Sequence, residues 1–408
     1  MPTLADLITN HPSNKNAILI PGGPTTTYGE FNDQIEKIAE ILSAAGVEKG
    51  RTVSIVLGNG LDFMITFLAV TRSGAIAAPL NSAYTSEEFK FYMEDTESQL
   101  VIIAPGADVA KQAADELNIP VAEAILDNRG QLSVSKSGSL LTARSSVSAP
   151  SEDDIALFLH TSGTTSRPKG VPLTHGNLMA SLKNIVNTYD LTEDDLAMVV
   201  MPLFHVHGLI GVSLSTMKSG GSMVIPPRFS ASNFWQIQAT TNATWYSAVP
   251  TIHQILLMRA DEDKAPSQSF RFIRSCSAAL APTVFNDLEN RFGAPVLEAY
   301  GMTEASHQMS SNLLPPGPRN PGTVGKGTGV DIGIMDENGT VLATNQIGEV
   351  VIRGSNVTHG YHNNPSANEE AFTNGWFRTG DQGILSEESI LTLTGRLKEL
   401  INRGGEKI

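Results

Sequence analysis

The densest run of residues able to do chemistry is His160-Thr-Ser-Gly-Thr-Thr-Ser-Arg-Pro-Lys-Gly170, directly after the apolar segment 155–159. Glycines and small hydroxyl residues behind a buried strand let backbone N–H groups approach an anion closely. Ser162, Thr164 and Thr165 add hydroxyl donors, Gly163 adds backbone freedom, and Lys169 adds a cation. This is the composition of a phosphate-holding loop. It is not the G-x-x-x-x-G-K-[ST] loop: counted from Gly163, Pro168 stands where the second glycine belongs, and Gly170 follows Lys169. A plain polar connector is the competing reading, and it leaves the concentration of Gly, Ser, Thr and Lys unexplained.

Such a loop needs elements to hold it. Segments 52–57, 75–79 and 100–104 are apolar runs of strand length. Between them lie helical periods, such as Tyr28, Phe31, Ile35, Ile38 and Leu42 at spacings of three and four. Thr27 with Glu30 predicts a capping box, Gly46 a helix stop, and Thr85 or Ser86 with Glu87 and Glu88 a second helix start. Strands alternating with helices predict βαβ units and a mostly parallel sheet. The Ser-rich stretch 130–153 reads as a surface connection between subdomains, and a second α/β block follows from 154. From about 328 to 395 the runs VDIGIMD, GEVVIRG and SILTLTG alternate with turn residues and predict antiparallel strands.

Composition excludes several classes. The 408 residues carry 28 Lys and Arg against 42 Asp and Glu, a net charge of −14, which argues against nucleic acid or an anionic membrane as a bulk-charge partner. A local anion site can still oppose that field. No apolar run reaches the roughly 18 residues that span a bilayer, and the first residues lack the basic and apolar regions of a secretory signal. Cys276 alone cannot form an internal disulfide, which fits a reducing compartment.

T-S-G-T-T-x-x-P-K-G resembles the signature of the adenylate-forming (ANL) superfamily, which includes acyl-CoA synthetases. Further segments resemble that family's motifs in its order: Pro202-Leu-Phe-His-Val-His207-Gly, Ser275-Cys-Ser-Ala-Ala279, Glu298-Ala-Tyr-Gly-Met-Thr-Glu304, Gly348-Glu-Val-Val-Ile-Arg-Gly354, Phe377-Arg-Thr-Gly-Asp381 and Gly395-Arg-Leu-Lys-Glu-Leu-Ile401. The resemblance implies an α/β fold, the large N-terminal domain of an adenylate-forming enzyme. It would comprise two α/β subdomains with mostly parallel sheets, 1–153 and 154–327, a smaller antiparallel β subdomain, 328–395, and a hinge, 396–408. Lys398 falls at the hinge position, and Gly404 and Gly405 add freedom there.

The implied reaction is attack of a carboxylate on the α-phosphate of ATP, then displacement of AMP by coenzyme A. The resemblance assigns nucleotide binding to Thr161, Ser162, Gly163, Thr164, Thr165, Ser277, Ala278, Ala279, Glu298, Ala299, Tyr300, Gly301, Met302, Thr303, Asp381 and Arg396. Tyr300 offers a flat ring to adenine, and the small residues 277–279 let a purine lie against backbone. Thr303 offers a hydroxyl to the α-phosphate, Asp381 accepts from ribose hydroxyls, and Glu304 is a hard oxygen ligand for Mg²⁺. Lys169, His205, Thr303 and Glu304 form the implied catalytic set. His205 orients the acid rather than acting as a base, because a carboxylate is already ionised at neutral pH. Gly301 stands where some relatives carry alanine, a conservative difference.

The substrate positions are polar: His205, His207, Ser275, Ser277 and His307. A buried carboxylate needs donors, so a small dicarboxylate is the leading expectation. The strings AYGMTEASHQMSSN, SCSAALAP and TGRLKELINRGGEKI resemble the oxalate–CoA ligase branch, the peroxisomal-CoA-synthetase-like proteins. A medium-chain or aromatic acid, and a nucleotide-binding module without turnover, stay open as alternatives. The branch implies a cytoplasmic or peroxisomal protein, although the final Glu-Lys-Ile is not a Ser-Lys-Leu type signal. The family continues past the hinge into a further small domain, so the expectation is a shortened, weakly active form.

Overall fold

The computed structural model describes residues 2–161, 167–263, 265 and 270–397, and the backbone of 402–403 and 406–407. Ser162, Gly163, Thr164, Thr165, Lys398, Gly404 and Gly405 lie outside the described residues.

Local rules set the helices. Thr27 caps the helix Tyr28–Ala44: its hydroxyl accepts from the Glu30 amide at 3.3 Å, and the Glu30 carboxylate accepts from the Thr27 amide at 2.9 Å. The stripe Tyr28, Phe31, Ile35, Ile38 and Leu42 is buried as its spacing predicts. Thr85 and Glu88 repeat the box at the helix Ser86–Asp95.

Among the described residues three large sheets carry most of the strands, and Asn402–Arg403 pairs with Glu406–Lys407 in a separate two-stranded one. The first has eight, in the order Lys169–Thr174, Ile155–Thr161, Ile76–Pro79, Thr52–Val56, Ser98–Ile103, Val121–Leu126, Leu132–Lys136 and Ser139–Leu140. Its inner strands are parallel and its edges antiparallel. The second has nine, in the order Lys326–Gly327, His307–Ser311, Val296–Met302, Phe272–Ser275, Trp245–Ala248, Leu196–Met198, Ser222–Val224, Asn16–Leu19 and Thr25–Thr27. It is parallel from Val296–Met302 through to Asn16–Leu19. The third is antiparallel: Asp331–Met335, Ile347–Arg353, Trp376–Leu385 and Phe372–Thr373, with Leu391–Arg396 on Trp376–Leu385. No helix among the described residues is long and apolar enough to cross a membrane.

Two expectations need correction. The sheets do not part at residue 153: Ile155–Thr161 and Lys169–Thr174 complete the first sheet, while Asn16–Leu19 and Thr25–Thr27 cross to the second. Backbone pairing, not chain order, decides membership. The stretch 130–153 is also not all connection. Leu132 and Val134 are buried and alternate with Ser133 and Ser135, a period-two strand inside Ser-rich composition. Gln34 fixes its start, donating to the Gly130 carbonyl at 2.9 Å and accepting from the Leu132 amide at 2.8 Å.

Glu298, on the strand Val296–Met302, ties the second sheet to the turn at Gly322. Its Oε1 accepts from the Gly322 amide at 2.8 Å. The side chain is 5% exposed, and burial pushes its carboxyl up to about 7. The folded state therefore holds this proton more tightly than the unfolded chain, and stability falls as pH rises through the window from the ordinary value of 4.5 to about 7. Glu298→Gln keeps an oxygen acceptor and removes the buried charge. It should stabilise the protein near pH 8 by up to about 3 kcal/mol and change little near pH 4. Thermal melts at the two pH values check this, and equal shifts at both would contradict it.

Candidate active site

In open α/β sheets the crevice at the carboxyl ends of the parallel strands is where ligands gather. Here four of the motif loops leave strands of the two parallel sheets at such an end. Leu196–Met198 runs on to the 202–208 loop, Phe272–Ser275 to residues 276–279, and Val296–Met302 to Thr303 and Glu304. In the first sheet Ile155–Thr161 leads into the phosphate loop. Thr161 pairs with Lys169 across the hairpin, so the loop's two ends are described and its tip is not. Gly170 is demanded by packing, since a Cβ there would fall 2.5 Å from the Phe158 ring.

The third sheet closes this crevice from one side. The Thr358 amide donates to the Glu304 carbonyl at 2.7 Å and the His362 amide to the Gly170 carbonyl at 2.9 Å. Between them Tyr361 donates its hydroxyl to Glu304 Oε1 at 2.8 Å, and Lys169 Nζ stands 4.2 Å from the centre of the same ring. Burial raises the Glu304 carboxyl, and the Tyr361 hydrogen bond and the Lys169 charge pull it back. Tyr300 is buried and donates to Asp381 Oδ2, while Arg396 Nε donates to Asp381 Oδ1 at 3.0 Å. Each Asp381 oxygen keeps a second lone pair for a further donor. Ala278 and Ala279 are exposed on the turn after Phe272–Ser275, and Ala299 and Met302 lie on the strand that carries Tyr300. A cavity of about 30 Å³ joins His205, Phe204 and Thr303 to Pro79, Leu80, Tyr84, Tyr92, Leu159 and His160 of the first sheet's side. A larger one of about 380 Å³, at Leu19, Thr25 and Asn233, has no charged or imidazole side chain.

A second cluster lies under the 277 turn. Ser277 is exposed with φ +73° and its Oγ is 3.0 Å from His207 Nδ1. His207 Nε2 is 2.7 Å from Ser247 Oγ. The His207 and His307 rings stack with centres 5.3 Å apart. Behind them Arg274 is fully buried. It donates to Tyr189 Oη (2.8 Å), Ser247 Oγ (3.0 Å), His307 Nε2 (2.9 Å) and Gln308 Oε1 (3.0 Å). Burial and the Arg274 charge hold both imidazoles well below their ordinary value, so they are neutral at pH 7.

His307 reaches this position through unusual backbone. Ser306 and His307 have φ of +49° and +92°, a region costly for residues with a Cβ. Surrounding contacts over-determine it. Ser181 Oγ donates to the Ser306 carbonyl (2.5 Å), Ser306 Oγ to the Asn356 carbonyl (2.9 Å), and Asn356 Nδ2 to the Ala305 carbonyl (2.7 Å). The helix after the His205–His207 motif widens to a π-turn over Leu209–Leu214. Within it Gly211 makes room for the ring, since a Cβ there would fall 2.4 Å from His307 Nε2. Gly301 is likewise less neutral than its exchange with alanine suggests: a Cβ would meet the His307 carbonyl oxygen at 2.0 Å, so the exchange must move His307.

The structure thus brings Lys169, Thr303, Glu304, Tyr300, Asp381 and Arg396 to one crevice, and His207, Ser277 and His307 to one cluster. Ser275 is a correction. It is buried, its Oγ has no hydrogen-bond partner among the described residues, and strand alternation turns it to the face opposite Arg274. Its neighbour Arg274 is the residue of that strand that bonds to the histidine cluster. Arg274, Tyr361, Ser247 and Gly211 went unread in the sequence. Only Arg274 carried a signal, a charge directly after the apolar pair Phe272-Ile273 in a short strand. Gly211→Ala should displace His307 and destabilise the fold by about 1–3 kcal/mol. A denaturant midpoint unchanged from wild type would show that the ring has other room.

The comparisons follow the geometry. A family model described as "AMP-binding enzyme" matches residues 5–362. An oxalate–CoA ligase of Arabidopsis thaliana is 51% identical over 97% of this chain and 78% of its own length. One from Saccharomyces cerevisiae is 45% identical over 97% and 79%. The ATP-bound crystal structure of MatB from Rhodopseudomonas palustris superposes with a TM-score of 0.88 at 30% identity, covering 100% of this chain and 81% of that one. The chain belongs to the AMP-binding enzyme family, and within it stands among the CoA ligases.

Proposed function

We propose that this protein activates oxalate with ATP and passes the oxalyl group to coenzyme A. One oxalate oxygen attacks the α-phosphorus, the bond to the β-phosphate oxygen breaks, and pyrophosphate leaves. The thiolate sulfur of coenzyme A then attacks the activated carbonyl carbon, and AMP leaves. Such transfers depend on positioning and on neutralising charge. Lys169 supplies a cation beside the phosphate loop. Tyr300, Asp381 and Arg396 are placed to hold the nucleoside, and Thr303 with His205 to hold the reacting groups where the two sheets' loops meet.

Glu304 fits a divalent cation. Tyr361 donates to its Oε1, and a carboxylate has lone pairs to spare for a cation. No cluster of three or more His, Cys, Asp or Glu lies near enough to form a protein-only site among the described residues. That suits Mg²⁺ held by one carboxylate and completed by phosphate oxygens and water. When bound, the ion neutralises phosphate charge.

The observation that carries the substrate assignment is the cluster His207, Ser277 and His307 with a buried cation behind it. A fatty or aromatic tail would leave those donors unpaired, a cost that rejects it. Oxalate offers acceptors only. The two relatives named as oxalate–CoA ligases support the same choice. Pyrophosphate release, measured with ATP, Mg²⁺ and a panel of acids, should be fastest with oxalate. Ser277→Ala should raise the oxalate KM about tenfold with a smaller change for ATP. Preference for a fatty or cinnamic acid would sink the assignment.

A further inference from the structure

We propose that Arg274 is a positioning residue that sets the hydrogen-bond direction of the whole acyl pocket, so that His307 and Ser277 face the substrate's second carboxylate as donors. This rests on the oxalate reading and deepens it.

A guanidinium has five N–H groups and no acceptor. Arg274 Nη2 lies 2.9 Å from His307 Nε2. That nitrogen must therefore accept, and the ring's single hydrogen sits on Nδ1. Nδ1 has no partner among the described residues, so its N–H is available. The first relay is one ring long.

The second relay is longer. Arg274 Nη1 donates to Ser247 Oγ at 3.0 Å. Ser247 is fully buried, and its own hydrogen needs an acceptor. His207 Nε2, at 2.7 Å, is the acceptor present. His207 must then carry its hydrogen on Nδ1 and donate it to Ser277 Oγ at 3.0 Å. Ser277 Oγ, already accepting, turns its hydrogen outward, and this residue is the exposed one. Both chains start at one cation, and both end in a donor. The stacked imidazoles keep the two ends close.

The charge balance points the same way. The four groups receiving hydrogen bonds from Arg274 are a phenol, a serine hydroxyl, an imidazole and an amide, all neutral, and the other ionisable neighbour is the buried Cys276 thiol; no carboxylate is among them. A buried cation without a carboxylate is costly. An acceptor-only dianion bound at the ends of the relays supplies the missing charge and matches every donor. A monocarboxylate of the same size would leave one set of donors unpaired.

The relay has a spectroscopic signature. Histidine in water prefers its hydrogen on Nε2, whereas the geometry here requires Nδ1–H on both rings. ¹⁵N spectra of the histidine-labelled wild-type protein, assigned with His207→Gln and His307→Gln, read the tautomers directly and need no substrate. Nδ1–H on both rings supports the relay, and Nε2–H on either overturns it. The kinetic test uses Arg274→Lys, Arg274→Met and Ser247→Ala. Ser247→Ala cuts the second relay while leaving Arg274 in place. We expect the oxalate KM to rise at least about tenfold in Arg274→Met and Ser247→Ala, with partial recovery in Arg274→Lys and the ATP KM within about twofold throughout. Oxalate and ATP constants moving together, or an unchanged oxalate KM, would assign Arg274 a merely structural role and overturn the proposal. Absence of oxalate turnover in the wild type fails the substrate assignment instead, and the tautomers still decide the relay on their own.

Discussion

The constraint on which the site depends is a guanidinium buried in a sheet without a carboxylate beside it. Arg274 stands on Phe272–Ser275, an interior strand of the nine-stranded sheet. Its hydrogen bonds reach Ser247 on the adjacent strand, Tyr189 at the end of the helix His175–Thr188, and His307 and Gln308 on the antiparallel edge. A buried charge left with any donor unmatched is expensive. The positions of these four partners are therefore not independent. Each is fixed by the need to accept from the same cation.

That need explains the strained backbone nearby. For His307 Nε2 to face Arg274, the chain after Glu304 must turn through two consecutive residues with positive φ. Such a turn persists only where its neighbours hold it. Ser181 comes from the helix His175–Thr188, and Asn356 comes from the segment that links the third sheet to the crevice. Gly211 supplies empty space rather than a bond. The same 354–362 segment brings Tyr361 between Lys169 and Glu304. One short connection thus braces the turn that carries His307 and sets Tyr361 between Lys169 and Glu304.

Much of this was legible in residue order. Capping boxes at Thr27 and Thr85 are local rules obeyed by local atoms, and the buried stripe of Tyr28–Ala44 needs only helical periodicity. Tyr300, Asp381 and Arg396 stand out by type within their motifs, and strand register then brings them together. The acyl side was legible only in part. His207, Ser277 and His307 are polar residues in family motifs, but what they do depends on Ser247 and Arg274, residues that occupy strands and look like sheet filler. Ser275 drew attention by its type. Strand alternation puts its neighbour on the functional face, and only register resolves which of two adjacent residues that is. Sheet membership was hidden for a related reason. Asn16–Leu19 pairs with Ser222–Val224, some two hundred residues away, and no local pattern encodes that.

The last consequence concerns charge. The chain carries a net −14, and both ATP and a dicarboxylate are anions, so the mean field opposes binding. Exposed charges more than about 8 Å apart are largely screened at physiological ionic strength, whereas buried charges are screened much less. The cations that matter are therefore the local ones: Lys169 over the Tyr361 ring, Arg396 on Asp381, and Arg274 inside the sheet. Arg396 is exposed and Asp381 already offsets it. Arg274 is buried, and its bonded partners are neutral, so its field is the least attenuated of the three. A cation placed that way acts little on the encounter and strongly on the bound state. In the proposed reading it would select among acids that have already entered by the number of acceptors they present, while the acidic surface would set only how often they arrive.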